Sequence, residues 1–157
     1  MIIGEAPGKN EQEQGIPFIG NAGQVLNQAL EEAGLPRESV FVTNIYKLRP
    51  PNNRTPTEEE MRSHAPFLLE EFEIVEPRFV LLLGNSPLGF FTWQKGITRK
   101  RGSRVFPRIM GSTFDNSIFF YCTYHPAATI YNKATKEDFF RDIKVFAEIV
   151  QGSYTTA

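Results

Sequence analysis

In Arg78-Phe79-Val80-Leu81-Leu82-Leu83-Gly84 an unbroken apolar run follows the arginine and is closed by a glycine, and its reading decides the fold. A strand with one wet face alternates apolar and polar residues, whereas a parallel strand covered on both faces reads as a continuous hydrophobic block. The run therefore predicts a buried, parallel strand. Parallel neighbours need crossovers of a dozen or more residues, usually helical, so the sequence around it should alternate between strands and helices.

That alternation is present in both directions. Upstream, Met1–Ile3 is an apolar stub feeding a Gly/Pro-rich loop over Gly4–Gly23. Val25, Leu26, Ala29, Leu30 and Ala33 stand at helical spacing and predict a helix from about Gln24 to Ala33, stopped by Gly34. Val40–Tyr46 reads as a strand, and Arg49–Pro56 as a loop with three prolines. Thr57-Glu58-Glu59-Glu60 is a capping box opening a helix to about Val75, with a kink expected at Pro66. Downstream come a short helix over Pro87–Trp93, a basic loop, a strand over Ile118–Tyr124 and a closing amphipathic helix over Lys136–Val150. Phe139, Phe140, Ile143, Phe146, Ala147 and Val150 mark its buried face. There are no repeats and no low-complexity linker. One α/β domain with a mostly parallel central sheet is predicted.

In such sheets ligands bind beyond the carboxyl ends of the strands. Four unusual loops follow strands here: Gly4–Gly23, Lys47–Pro56, Gly84–Pro87 and His125–Asn132. They should converge on one edge.

Composition narrows the function classes. The 157 residues suit one domain with a single proper core, and 41% hydrophobic against 22% charged residues excludes a disordered chain. Phe, at 14 copies, is unusually common and must be mostly core. The formal charge of −1 lacks the overall basic character of many nucleic-acid binders. The distribution is less even. Acidic residues concentrate in Glu58–Glu60 and Glu70–Glu73, and basic ones in Lys47, Arg49, Arg54, Arg99–Arg101, Arg104 and Arg108, so opposite faces of opposite sign are available. Cys122 is the single cysteine and permits no intrachain disulfide. No secretory pattern opens the chain and no apolar run approaches a membrane span, so a cytoplasmic location, off the membrane, is expected; a monomer is expected as well.

Several residues invite a chemical role. Gly4-Glu5-Ala6-Pro7-Gly8-Lys9 resembles a phosphate loop, but it is one residue short of the Walker spacing and Asn10 stands where Ser or Thr should bind magnesium. That reading is rejected. A loop of twenty residues in a compact domain usually carries function. Glu5, just past a strand end, is a candidate acid or base, although a lone Glu is ordinarily just solvated. Phe18 either pins the loop to the core or offers a face to a planar ligand, and composition does not decide. Asn44 lies within an apolar strand; a buried amide must satisfy its hydrogen bonds, so it either ties down a loop or reads a ligand. His125, at a strand's carboxyl end, is a catalytic candidate or a satisfied structural histidine. His64 reads as structural or exposed. The run Arg99–Arg108 is a solvated loop or a phosphate contact.

Together these segments resemble the family 4 uracil-DNA glycosylases. The first motif is Gly4-Glu5-Ala6-Pro7-Gly8, then Glu11, Gly15, Pro17-Phe18, Gly20 and Ala22-Gly23. Thr43-Asn44, Lys47, Arg49-Pro50-Pro51, Asn53-Arg54 and Pro56 follow in order, then Leu83-Gly84-Asn85, Arg101-Gly102 and Thr123-Tyr124-His125-Pro126-Ala127-Ala128. The resemblance covers almost the whole chain. It implies a three-layer α/β/α sandwich around a four-stranded, mostly parallel sheet, and hydrolysis of the N-glycosidic bond of deoxyuridine in DNA. A base inside a duplex must be flipped into a pocket to be reached. Phe18 would stack on it in a uracil pocket that includes Ala6, Gly8 and Glu11. Asn44 would read its N3/O4 edge, His125 would donate to O2, and Glu5 would face the sugar and a water. Ala6 stands where another branch has an aspartate, so strong general-base catalysis is not implied. Glu11 would help exclude the 5-methyl group of thymine. Ser86, Arg54 and Arg101 would hold the DNA backbone, with Ile130 or Tyr131 wedging into the duplex.

Three departures from the family stand out. Its members usually bind an iron–sulfur cluster through four cysteines. Here the upstream pair has no counterpart and Leu48 and His64 occupy the other two places, so no metal and no cluster is expected, and packing should replace its scaffolding. After His125-Pro126 the family tends to show two leucines and an arginine, where this chain has Thr129-Ile130-Tyr131. No histidine follows Arg101-Gly102, which speaks against the related branch that traps DNA covalently. The alternative is a catalytically weakened DNA-binding or polymerase-associated module of the same fold, with replication or repair proteins as partners. A prokaryotic or viral origin fits either reading.

Overall fold

The computed structural model describes residues 1–108 and 117–155. In chain order the strands are β1 (Ile2–Gly4), β2 (Val42–Asn44), β3 (Phe79–Leu83), β4 (Ser103–Val105) and β5 (Phe119–Thr123). The helices are α1 (Lys9–Gln14), α2 (Asn21–Glu32), α3 (Glu58–Ser63), α4 (Ala65–Val75), α5 (Asn85–Thr92), α6 (Ile97–Lys100) and α7 (Lys133–Thr155). Short 3-10 turns occupy Arg37–Ser39, Pro51–Asn53 and Pro126–Thr129.

The sheet order is β2-β1-β3-β5-β4. The apolar run is its central strand: β3 pairs in parallel with β1 and β5, and β1 with β2. Its residues alternate between two cores. Val80 and Leu82 join Ile3, Met61, Leu68, Phe72, Phe91 and Phe120 beneath α3, α4 and α5. Leu81 and Leu83 join Ile2, Leu26, Leu30, Phe139, Ile143 and Phe146 beneath α2 and α7. Leu81 and Leu82 are both fully buried, each worth about 1.5–3 kcal/mol by transfer from water. The phenylalanines are indeed largely core: the rings of Phe72, Phe91 and Phe120 lie within 5.4–6.4 Å of one another. The three-layer α/β/α arrangement follows, and among the described residues no helix is long and apolar enough to cross a membrane.

The structure departs from the sequence-based expectation in four places. The sheet has five strands rather than four, because Ser103–Val105, inside the basic loop, pairs antiparallel with β5. Three residues with one buried side chain give no periodic signal, and an edge strand needs little of one. Another part of that loop, Ile97–Lys100, is helical. The long loop after β1 is not structureless, since α1 lies within it, ended by Gly15 at φ 69. Finally, the expected single helix from Thr57 breaks at His64 (φ −97, ψ −2), two residues before Pro66. Pro66 thereby falls in the first turn of α4, where its missing N–H leaves no hydrogen bond unmade.

Candidate active site

Parallel register brings the functional segments together. Gly4 at the end of β1 pairs with Asn44 at the end of β2, and Leu83 at the end of β3 pairs with Thr123 at the end of β5. Every chain segment leaving these ends starts from the same edge of the sheet, as predicted. There they enclose a cavity of about 300 Å³, at the small end for a ligand pocket. Glu5, Ala6, Gly8, Glu11, Phe18, Asn44, Arg54 and His125 all line it, joined by Pro50, Asn53 and Ala127.

Phe18 forms one wall. It is 5% exposed and its backbone stands at φ 54, in the left-handed region. Two glycines make this possible. A Cβ on Gly4 would meet Phe18 Cζ at 2.3 Å, and one on Gly23 would meet the Phe18 carbonyl oxygen at 2.0 Å. Glu11 closes the loop from α1, accepting the Gly20 N–H at 3.4 Å.

Asn44 is 5% exposed, and its Oδ1 has no hydrogen-bond partner. Buried polar atoms are overwhelmingly paired, and an orphan costs about 1–3 kcal/mol. The orphan belongs to a cavity-lining residue, as expected of a group reserved for a ligand donor. The strand end beneath it is fixed by Lys47, whose ammonium donates to Asn44 O at 2.6 Å and Thr43 Oγ1 at 2.7 Å and pairs with Glu71.

His125 faces the same cavity, its ring 5.5 Å from that of Phe18. Its Nδ1 accepts the Ala127 N–H at 3.1 Å. The neutral imidazole therefore carries its proton on Nε2 as a donor. Burial without a charged partner pushes its pKa down to about 4, so the ring is neutral at physiological pH. Gly84, at φ 93, lets the end of β3 press against it, with a Cβ position only 3.0 Å from that of His125.

Glu5 accepts a hydrogen bond from Ser86 Oγ at 2.6 Å. Ser86, expected to hold DNA backbone, thus orients the candidate carboxylate. Arg54 is half-exposed at the rim and pairs with both oxygens of Glu60, at 2.6 and 3.1 Å. That pairing, with the Thr57 capping bonds, holds the Glu60 carboxyl down at about 2. Arg101 turns inward. Its guanidinium grips Asp142 through Nε at 2.8 Å and through Nη2, and Asp142 also accepts from Thr123 Oγ1 at 2.6 Å. Ile130 and Tyr131 stand 41% and 97% exposed beyond the turn that follows His125.

Sequence reasoning missed Lys47 as a support of Asn44, and it missed Arg37, which donates to the Phe18 carbonyl at 2.8 Å. Lys47 lay inside a quoted motif; Arg37 sits between Pro36 and Glu38 with no pattern to mark it.

The sequence profile of the uracil DNA glycosylase superfamily matches residues 1–146. The chain belongs to that superfamily. It is 37% identical over 155 residues to a type-4 uracil-DNA glycosylase of Sulfurisphaera tokodaii, covering 95% of this chain and 69% of that one. A type-4 uracil-DNA glycosylase of Pyrobaculum aerophilum is 39% identical over 147 residues, 93% of this chain and 75% of its own. A DNA polymerase of Bacillus phage SP01 is 29% identical over 153 residues, 97% of this chain but 16% of that protein.

Against the iron–sulfur cluster of many family 4 glycosylases, the donor set here does not fit. Cys122 lies inside β5, its thiol donating to Lys100 O at 3.2 Å and pushed up to about 11 by burial. Leu48 is an exposed aliphatic side chain. His64 already accepts the Lys47 N–H at 2.9 Å and packs 4.5 Å from the Tyr46 ring. Among the described residues no three His, Cys, Asp or Glu side chains gather as a metal site.

Proposed function

We propose that this protein is a uracil-DNA glycosylase that flips deoxyuridine out of DNA and hydrolyses its N-glycosidic bond. The single observation that carries the reading is the buried, unpartnered Oδ1 of Asn44 in a cavity walled by Phe18 and His125. The uracil N3–H supplies the missing donor, and the Asn44 amide donates to O4. Phe18 stacks on the ring. As the C1′–N1 bond breaks, its electron pair passes to uracil and charge gathers on O2, where the His125 Nε2–H donates. A preorganised donor at developing charge is usually the largest protein contribution to rate. A neutral imidazole suits this task, since it stabilises the anion without having to give up a proton.

The sugar is left with oxocarbenium character. Glu5, held by Ser86, faces that positive charge and orients a water whose oxygen bonds to C1′ while its proton passes to the carboxylate or solvent. Ala6 leaves no second carboxylate there. Glu11 and Gly20 keep the loop closed at the side where a 5-methyl group would enter. Arg54 at the rim, and Ile130 or Tyr131 beyond the His125 turn, meet the DNA. The enzyme acts as a cytoplasmic monomer, without an iron–sulfur cluster; iron analysis of the purified protein is expected to find less than a tenth of an equivalent, and stoichiometric iron would overturn that part.

One observation favours a second reading. The likeness to a segment of the phage polymerase fits a DNA-binding or replication-associated module with weakened catalysis. An oligonucleotide bearing one uracil, incubated with protein and then alkali, separates the two. Cleavage at uracil supports the enzyme; binding without cleavage supports the module.

A further inference from the structure

Phe18 holds its ring in the cavity from a backbone conformation that non-glycine residues avoid, at φ 54. The loop carrying it has no strand to fix it, so another group must. Arg37, in the 3-10 turn ahead of β2, reaches back to it. Its Nη1 donates to Phe18 O at 2.8 Å and to Asn27 Oδ1 at 3.0 Å, and its Nη2 donates to Pro17 O. All three acceptors are neutral oxygens. Among the described residues no carboxylate forms an ion pair with this guanidinium, and partial burial lowers its pKa.

An arginine placed for charge pairing would face an acid; this one spends its planar fork on two successive main-chain carbonyls. The Phe18 carbonyl is confined from the other side by the Gly23 backbone, where a Cβ would stand 2.0 Å away. The ring is confined in turn by Gly4 and His125. Among the described residues, Arg37 is therefore the one side chain that grips the strained peptide itself.

We propose that Arg37 is a positioning residue for uracil excision: by clamping the Pro17 and Phe18 carbonyls it holds the Phe18 ring in the pose on which the flipped base stacks. The inference rests on reading the cavity as a uracil pocket. A misplacement of about 1 Å near reacting groups costs about a hundredfold in rate.

The test compares wild type, Arg37→Ala and Arg37→Lys in single-turnover excision from a uracil oligonucleotide and in inhibition by free uracil. Folded fraction is measured by circular dichroism and thermal melting. Folded Arg37→Ala is expected to excise about a hundredfold more slowly and to bind free uracil at least tenfold more weakly. Arg37→Lys should recover only part, because one ammonium cannot fork across both carbonyls. Added ethylguanidinium should restore Arg37→Ala more than ethylammonium at equal ionic strength. A folded Arg37→Ala with both rate and uracil inhibition within twofold of wild type would overturn the inference. So would a rate loss that only tracks lost folded protein and ignores ethylguanidinium. Should Arg37→Ala fail to fold, Asn27→Ala, which removes one of the guanidinium's three acceptors, is expected to lower both readouts together by several fold. No change in either would overturn the proposal. An inactive wild type would instead remove the reading of the pocket, and this inference with it.

Discussion

Replacing Asn44 by alanine should separate function from folding. In the structure Oδ1 is buried without a partner, so the unliganded protein loses no hydrogen bond there when the amide is cut away. The strand end keeps its own support, because Lys47 donates to the Asn44 main-chain oxygen. The loss of side-chain packing and the relief of an unsatisfied polar atom oppose each other, and the net change in stability should stay within about 1 kcal/mol, or 2–4 °C in melting temperature. The reaction loses much more. Two hydrogen bonds to the uracil edge, at about 2 kcal/mol each once the base's own groups are left unpaired, come to about 4 kcal/mol. At 1.4 kcal/mol per factor of ten, kcat/KM should fall about a thousandfold. Single-turnover excision beside a thermal melt measures both. A melting temperature lowered by more than 10 °C would show that Asn44 holds the fold, and an excision rate within tenfold of wild type would show that it does not read the base.

Three further outcomes follow from the same geometry. The folded His125 imidazole stays neutral down to about pH 4, whereas the unfolded chain takes up that proton near 6.5. Its contribution to stability is therefore complete above pH 6.5 and lost progressively as pH falls toward 4, by about 3 kcal/mol in all. Urea titrations should show this acid loss shrinking in His125→Gln, and wild-type excision should stay level from pH 8 down to about 5. Arg101→Ala should destabilise the protein by about 3 kcal/mol or more, because it strands the buried Asp142 carboxylate. It should leave the salt dependence of DNA binding unchanged; a true phosphate contact would reduce the slope of log K against log salt by about one. Gly4→Ala puts a methyl group where Phe18 Cζ and Asn44 Oδ1 stand at 2.3 and 2.6 Å. It should abolish excision while the melt still shows a cooperative fold.

How much of this was legible in the sequence follows from the range of the interactions. The apolar block of β3 announces its own burial, and strand-helix alternation then fixes which loops meet, so Glu5, Phe18, Asn44 and His125 could be gathered before any coordinates. Residues whose role depends on a distant partner were less readable. Arg101 reads as one more cation in a basic run until Asp142, 41 residues away, takes its guanidinium. Ser86 lies 81 residues from the carboxylate it orients, and Arg37 19 residues from the carbonyl it clamps. None of these pairs sits at a helical or strand period. The short edge strand β4 was hidden for a different reason: its pairing is supplied by β5, not by its own side chains.

Uracil excision is tested most directly by the release of free uracil, quantified by chromatography, from an oligonucleotide with one uracil under enzyme excess, beside the same oligonucleotide carrying thymine. One equivalent of uracil is expected, with an alkali-labile site at that position and no release of thymine. Intact oligonucleotide after prolonged incubation with protein that is folded and still binds the DNA would contradict it.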